Sequence, residues 1–237
     1  MRIVEQFDTL QGEGKYLGVP SHFIRTTGCN LRCAWENPDK SITYCDTPYT
    51  SWKPEKGNVF NMQSTLEHLG KSRIKHVVIT GGEPTMQKDI GEVVNGFIDN
   101  GYHVTVETNG TIYVPGIQRA FMSISPKLMN SYAQEEGSLE FKIHGQNNNY
   151  TVPTARYVLE NDHQLKYVVN EPNDVNEVRS SINDVGGATG NTYLMPQGIT
   201  SEQLSAKTKW IFKNCVHYGF NYSPRMHIDI FGNKRGI

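Results

Sequence analysis

His76–Val106 reads HVVITGGEPTMQKDIGEVVNGFIDNGYHVTV. His76–Thr80 (HVVIT) is short, apolar and rich in β-branched residues, the composition of a strand. Met86, Ile90, Val93, Val94, Phe97 and Ile98 then fall at i, i+4, i+7, i+8, i+11 and i+12, one face of a helix, and Gly101 follows as its stop. His103–Val106 (HVTV) returns to strand composition. A strand, a helix and a strand in roughly 30 residues form a crossover unit whose strands run parallel. The first strand ends in Thr80-Gly81-Gly82-Glu83-Pro84, a polar motif where the chain leaves the sheet.

The same alternation extends in both directions. Ser21–Arg25 (SHFIR), Phe121–Ile124 (FMSI), Leu165–Val169 (LKYVV), Thr192–Leu194 (TYL) and Met226–Ile230 (MHIDI) read as strands. Asp174-x-x-Glu177 opens a second helix, with Val175, Val178 and Ile182 on one face. Ser201 caps a third, whose stripe is Leu204, Thr208, Ile211, Phe212 and Cys215 before Gly219. The class is therefore α/β. Most strands end in a polar or glycine-rich motif: Thr26-Thr27-Gly28-Cys29, Glu107-Thr108-Asn109-Gly110, Ser125-Pro126-Lys127 and Met195-Pro196-Gln197-Gly198 join Thr80–Pro84. Chemistry in α/β barrels and open sheets sits at the carboxyl ends of strands, so these motifs converge on one mouth.

The chain has 237 residues, and 23 Lys+Arg against 24 Asp+Glu give a net charge of -1. That balance argues against a nucleic-acid binder or a polybasic membrane protein. No run approaches the roughly 20 apolar residues of a membrane span, and Met1–Asp8 (MRIVEQFD) turns polar too early for a signal peptide. A cytoplasmic protein is expected. The length suits one domain if the fold is a barrel-like α/β one; otherwise two domains are expected.

Three of the four cysteines, Cys29, Cys33 and Cys45, lie within 17 residues, and Cys215 is remote. A disulfide framework spreads its cysteines, so this clustering points to a metal or cluster site. Three thiolates suit a zinc ion completed by histidine or water, or a [4Fe–4S] cluster with one iron left open. Cys215 falls on an apolar helical stripe and reads as a small buried hydrophobe. His22, the nearest histidine, lies inside an apolar strand, where a core or hydrogen-bonded role is expected.

Cys29-x3-Cys33, with Tyr44 before Cys45, resembles the radical S-adenosylmethionine (SAM) signature CxxxCxφC. Eleven residues separate the second and third cysteines in place of two; Trp35 stands where the usual aromatic would be, so Glu36–Tyr44 looks like a nine-residue insertion. Residues 7–33 (FDTLQGEGKYLGVPSHFIRTTGCNLRC), Cys45–Thr50 (CDTPYT), Ile79–Pro84 (ITGGEP), Val106–Thr111 (VETNGT), Ser123–Lys127 (SISPK) and His227–Ile237 (HIDIFGNKRGI) together resemble the 7-carboxy-7-deazaguanine synthase family. The resemblance implies a partial, open TIM-like radical SAM barrel of about six parallel strands with a reduced helix complement. It also implies a single domain over 1–237, with a cluster-binding loop at 28–50 and a substrate-capping tail at 225–237.

The same resemblance implies the chemistry. Cys29, Cys33 and Cys45 hold a [4Fe–4S] cluster whose open iron takes SAM, and reductive cleavage yields a 5′-deoxyadenosyl radical. The substrate is 6-carboxy-5,6,7,8-tetrahydropterin, the product 7-carboxy-7-deazaguanine, with ammonia released and SAM regenerated. Thr47 is placed on Mg2+ beside the substrate carboxylate, in keeping with that ion's preference for oxygen. Ser125, Pro126, Lys127, Met195 and Gln197 are assigned to SAM; Glu107 and Asn109 could meet its ribose. Leu10, Gln11, Gly12, Glu13 and Arg25 match substrate positions, Thr80 and His227 point to the same mouth, and Ile237 offers its terminal carboxylate to the pterin. The implied partners are an electron donor such as a flavodoxin or ferredoxin and a second copy of the chain; nucleic acid and membrane are not expected.

Some of these assignments also follow from side-chain chemistry. Gly81-Gly82 lets backbone approach closely, and a carbonyl or Glu83 accepts from the SAM ammonium. Arg25, inside an apolar strand, needs an anion, either a substrate carboxylate or an Asp or Glu of the chain. Two rival functions remain in view: a glycyl-radical-activating type of radical SAM enzyme, and a non-catalytic zinc-binding interaction module.

Overall fold

The computed structural model describes residues 1–237. The chain opens with β1 (Arg2–Leu10) and β2 (Pro20–Thr26), then a small hairpin, β3 (Ala34–Glu36) and β4 (Ile42–Tyr44), and the short β5 (Asn58–Val59). Next come α1 (Met62–Gly70), β6 (His76–Gly81), α2 (Ile90–Asp99), β7 (His103–Thr108) and β8 (Phe121–Ile124). The second half contributes α3 (Leu139–Asn147), α4 (Thr151–Glu160), β9 (His163–Val169), α5 (Asp174–Val185), β10 (Thr192–Pro196), α6 (Ser201–Tyr218), β11 (Asn221–Tyr222) and α7 (Met226–Phe231).

One sheet has the order β11-β10-β9-β8-β7-β6-β2-β1-β5. From β2 to β11 every neighbour is parallel, and β1 and β5 add antiparallel strands at one edge. The two end strands do not pair, so the barrel is open. Six longer parallel strands match the expected number, and β11, only two residues, makes a seventh. No helix is long and apolar enough to cross a membrane.

Alternation along the strands separates core from site. Val77 and Ile79, Val104 and Val106, Met122 and Ile124, Leu165, Tyr167 and Val169, and Leu194 are buried in one apolar cluster with Val93, Val94 and Phe97 of α2, Val178 and Ile182 of α5 and Ile211 of α6. Each such burial contributes roughly 1.5–3 kcal/mol. The residues between them, Thr80, Glu107, Ser123, Lys166, Val168 and Met195, line a cavity on the other face.

Several expectations need correction. Met226–Ile230 is not a strand but the core of helix α7. Its alternating apolar residues suggested a pleat, yet only Ile228 is buried and Ile230 is 60% exposed. The sheet has already ended at β11. Helix α2 begins at Ile90, and Pro84–Met86 forms a separate 3-10 turn. Thr200, not Ser201, caps α6, accepting from the Gln203 amide. Phe212, placed on the α6 stripe, is 60% exposed. Helices α1, α3 and α4 and strand β1 were not anticipated.

Candidate functional site

The cavity, about 290 Å³, opens at the carboxyl ends of the parallel strands. The cysteine loop forms one wall. Its extra residues fold into the β3–β4 hairpin, with Ala34 opposite Tyr44 and Trp35 opposite Thr43. That pairing turns the chain back, so the Cys45 amide donates to the Cys33 carbonyl at 3.1 Å. The hairpin thus returns the third cysteine to the first two, and Cys29, Cys33 and Cys45 all line the cavity. Trp52 Nε1 donates to the Cys33 carbonyl at 3.2 Å and steadies the loop. Cys215 lies elsewhere, in the apolar core, as its helical position implied.

The three sulfurs suit a cationic cluster. Burial pushes Cys29 up to about 12, and the nearby Glu83 adds to it. Cys33 and Cys45 are raised too, by burial first. Thiols so placed stay protonated unless a metal centre takes the proton's place. A single zinc with bonds of about 2.3 Å would hold sulfurs roughly 3.8 Å apart. The one group of metal-type side chains with ligand atoms within 4.8 Å of one another is Asp8, His22 and His68, on the helix side of the sheet. There Asp8 binds His22 at 2.6 Å and His68 at 2.8 Å, so His22 has the hydrogen-bonded role expected of it. Cys29, Cys33 and Cys45 do not form such a group, so their three sulfurs are not all within 4.8 Å of one another.

Next to the loop lies Gly81-Gly82. A Cβ on Gly82 would sit 2.0 Å from the Gly28 carbonyl oxygen and 2.7 Å from that of Thr50. The missing side chain lets the two loops touch, and the Glu83 amide donates to Gly28 at 2.8 Å. Glu83 itself is fully buried and does not line the cavity. Its carboxylate accepts from the Thr85 amide and hydroxyl, Thr108 Oγ1 and the Asn109 amide. Burial raises its pKa against those four bonds. Glu83 therefore fastens the end of β7 through these internal bonds. Pro126 is likewise outside the cavity lining.

The other assigned positions converge. Gly81, Gly82, Glu107, Asn109, Ser125, Lys127, Met195 and Gln197 line the cavity, as do Leu10, Gln11, Gly12, Glu13, Arg25, Thr80, His227 and Ile237, and Thr47 beside the cysteines. Lys127 Nζ donates to Ser125 Oγ at 2.7 Å. Asn109 Nδ2 donates to Asn30 Oδ1 of the cysteine loop at 2.9 Å. Glu107 accepts from Gln11 and Thr80, each at 3.0 Å. Arg25 has the carboxylate partner of the chain's own: its Nε donates to Glu5 at 2.7 Å. No hydrogen bond within the chain engages its two terminal nitrogens, which leaves them for a second anion. His227 reaches the cavity from α7 rather than from a strand; burial lowers its pKa against the pull of Glu13.

A buried ionic cluster was not foreseen. Lys166 and Arg225 both bond Glu13, and Arg225 also bonds Asp46. Burial opposes the Glu13 charge, but Lys166 and Arg225 outweigh it, so Glu13 titrates well below the usual carboxylate range. A signal for Lys166 was present, since it is a cation inside the apolar run LKYVV, as Arg25 is in SHFIR. Arg225 carried none, because it lies outside any periodic segment. Tyr49, whose hydroxyl donates to Glu5 at 3.0 Å, was also unassigned.

Comparison with known proteins places this geometry. Residues 23–123 match the radical SAM superfamily model. A 7-carboxy-7-deazaguanine synthase of Rhodopirellula baltica is 40% identical over 99% of this chain and 88% of its own. One from Halobacterium salinarum is 35% identical over 98% and 90%. The chain belongs to the 7-carboxy-7-deazaguanine synthase family. A crystal structure of QueE from Escherichia coli shares the fold at 23% identity, with a TM-score of 0.64 over 95% of this chain and 94% of that one. Membership of the radical SAM superfamily implies a [4Fe–4S] cluster and SAM.

Proposed function

We propose that this chain is a 7-carboxy-7-deazaguanine synthase, contracting the ring of 6-carboxy-5,6,7,8-tetrahydropterin with release of ammonia. The observation that carries the reading is convergence: Cys29, Cys33 and Cys45 open into the same cavity as Glu13, Arg25, His227 and the end of the tail. A glycyl-radical-activating enzyme needs room for a protein substrate at that mouth, and the match to the radical SAM superfamily model does not favour a zinc module. The chain is also similar over nearly its whole length to curated synthases.

In this reading Cys29, Cys33 and Cys45 hold the cluster. When bound, the cluster and SAM would supply the radical chemistry that the ring contraction needs. The remaining steps rest on the chain's own residues. Backbone carbonyls near Gly81-Gly82 take the SAM ammonium, and the Lys127–Ser125 pair presents a cation and a hydroxyl nearby. Met195 and Gln197 complete that wall. The terminal nitrogens of Arg25 face the substrate carboxylate. Gln11, Thr80 and Glu107 form a hydrogen-bonded rank suited to the polar edge of a pterin. The Thr47 hydroxyl, 3.4 Å from Cys45 Sγ, is an oxygen ligand for Mg2+. The Ile237 carboxylate caps the pterin, as part of a tail spanning 225–237. A flavodoxin or ferredoxin delivers the electron, the chain works as a homodimer, and the compartment is the cytoplasm.

The test is anaerobic reconstitution with iron and sulfide, followed by turnover of the carboxytetrahydropterin with SAM and Mg2+. Product is expected from the wild type. Cys45→Ala should lose both iron and product, while Cys215→Ala should keep both. Iron loading without any pterin turnover would sink the substrate assignment; loss of iron from Cys215→Ala would sink the ligand assignment.

A further inference from the structure

We propose that Arg225 positions the C-terminal tail: it ties the start of the tail to the cysteine loop through Asp46 and to the β1–β2 turn through Glu13, so that tail and loop are ordered together over the cavity. The inference rests on the substrate reading above for its kinetic consequence alone.

Arg225 is 7% exposed, and all three of its side-chain nitrogens are engaged. Nε donates to Glu13 Oε1 at 3.1 Å, Nη1 to the Gly198 carbonyl at 2.5 Å, and Nη2 to the Asp46 carboxylate. Those partners come from three separate edges of the mouth. A planar guanidinium reaches all three at once, and a lysine ammonium on its single flexible stem does not. Lys166 occupies the second oxygen of Glu13, so two cations and two carboxylates balance, with Lys166 and Arg225 buried, the Glu13 side chain nearly so and Asp46 at the cavity side.

The tail follows directly. The Met226 amide donates to the Gly12 carbonyl at 3.1 Å, and the His227 ring lies where a Cβ on Gly12 would be, 2.5 Å from Nδ1. Asp46 lies in the cysteine loop, between Cys45 and Thr47, so the tie joins the tail to that loop without touching a cysteine sulfur. The far end of the tail is pinned differently. Arg235 pairs with Glu5 and Glu55, but its side chain is 40% exposed and the contact is screened by salt. The firm attachment is the buried one. Coupling through a shared residue is reciprocal: a change at Asp46 should be felt in the tail.

The test uses full-length, anaerobically reconstituted protein, with amide exchange across 226–237 read beside pterin kinetics. Arg225→Gln is expected to speed exchange of those amides about tenfold or more, and to raise the pterin KM by a similar factor. Its kcat should change by less than about threefold, with iron per chain unchanged. Arg225→Lys should recover only part of the KM. Asp46→Asn should also speed tail exchange, although it lies 179 residues away in sequence. It carries the test if Arg225→Gln does not fold. Tail amides as protected as those of the wild type would overturn the proposal, and so would a KM rise accompanied by loss of iron. Exchange needs no turnover, so a wild type inactive on the pterin would refute the substrate while leaving the tie to be judged by exchange.

Discussion

At Gly82 the fold and the site meet in a single missing methyl group. The Gly28 carbonyl occupies the space where a side chain would begin, and Thr50 closes it from another side. Both neighbours are backbone of the cysteine loop, so neither yields by changing a rotamer. Gly82→Ala should therefore displace the loop, at a cost of about 1–3 kcal/mol, the usual range for overpacking. Thermal unfolding of the cluster-free protein would show the loss, and iron per chain after reconstitution should fall well below that of the wild type. Full iron loading with an unchanged Tm would mean that the loop has slack there. The motif was legible as a close-approach site, but what it approaches is backbone of the same chain. A sequence shows which residues lack a side chain, and only the fold shows what fills the gap. Arg25 and Lys166 make the complementary case. Each is a cation in an apolar strand, and each takes a carboxylate of the chain, Glu5 and Glu13, which lie far off in sequence or across a turn.

Elements were legible where burial imposes a period. Helices α2 and α5 and the central strands pack against one core, and their apolar spacing records it. Helix α3 has no such record: Leu139 is 67% exposed, and its one buried residue is His144. What fixes α3 is the Ser138 cap and the contact of His144 with the cysteine loop. Helix α7 misled for the opposite reason, since a six-residue element shows alternation as readily as helical period. The β3–β4 hairpin reads as an insertion in sequence, yet it is the device that returns Cys45 to Cys33. Caps are the finest of these signals, and adjacent hydroxyls at 200 and 201 blur it. Thr200 Oγ1 accepts from the Gln203 amide, while Ser201 is the first helical residue. Thr200→Ala should cost about 1 kcal/mol in chemical denaturation, and Ser201→Ala under about 0.5 kcal/mol. The reverse order would restore Ser201 as the cap. The effect reaches the site, because Lys207 of α6 donates to the Gln197 carbonyl at 2.7 Å.

Across the whole molecule, two buried histidines join elements that no local pattern connects. His76 on β6 bonds Ser21 of β2 and Thr105 of β7, each at 2.8 Å. His144 on α3 accepts from the Arg32 amide at 3.2 Å through Nδ1 and meets Ser131 Oγ at 3.1 Å through Nε2. Burial lowers both to about 4, with His103 adding to the effect at His76 and Lys127 at His144. In the unfolded chain both titrate near the usual 6.5. The folded state thus binds protons more weakly than the unfolded state, and stability is full above pH 6.5. It falls as the pH drops from there toward 4, by about 2 kcal/mol for each histidine at pH 5. Carboxylates held low by partners, such as Glu5 and Asp8, add their losses only at lower pH. Denaturant unfolding of the cluster-free protein should therefore show a midpoint that drops between pH 7 and pH 5, with the steepest part below 6.5. His76→Gln keeps a hydrogen-bonding side chain without the titration and should remove the part of that fall due to His76, about 2 kcal/mol at pH 5, while His22, His103 and His227, also lowered by burial, keep theirs. A flat profile between pH 7 and pH 5 would mean that both imidazoles accept a proton without leaving their partners, and that neither joins its elements as a neutral ring.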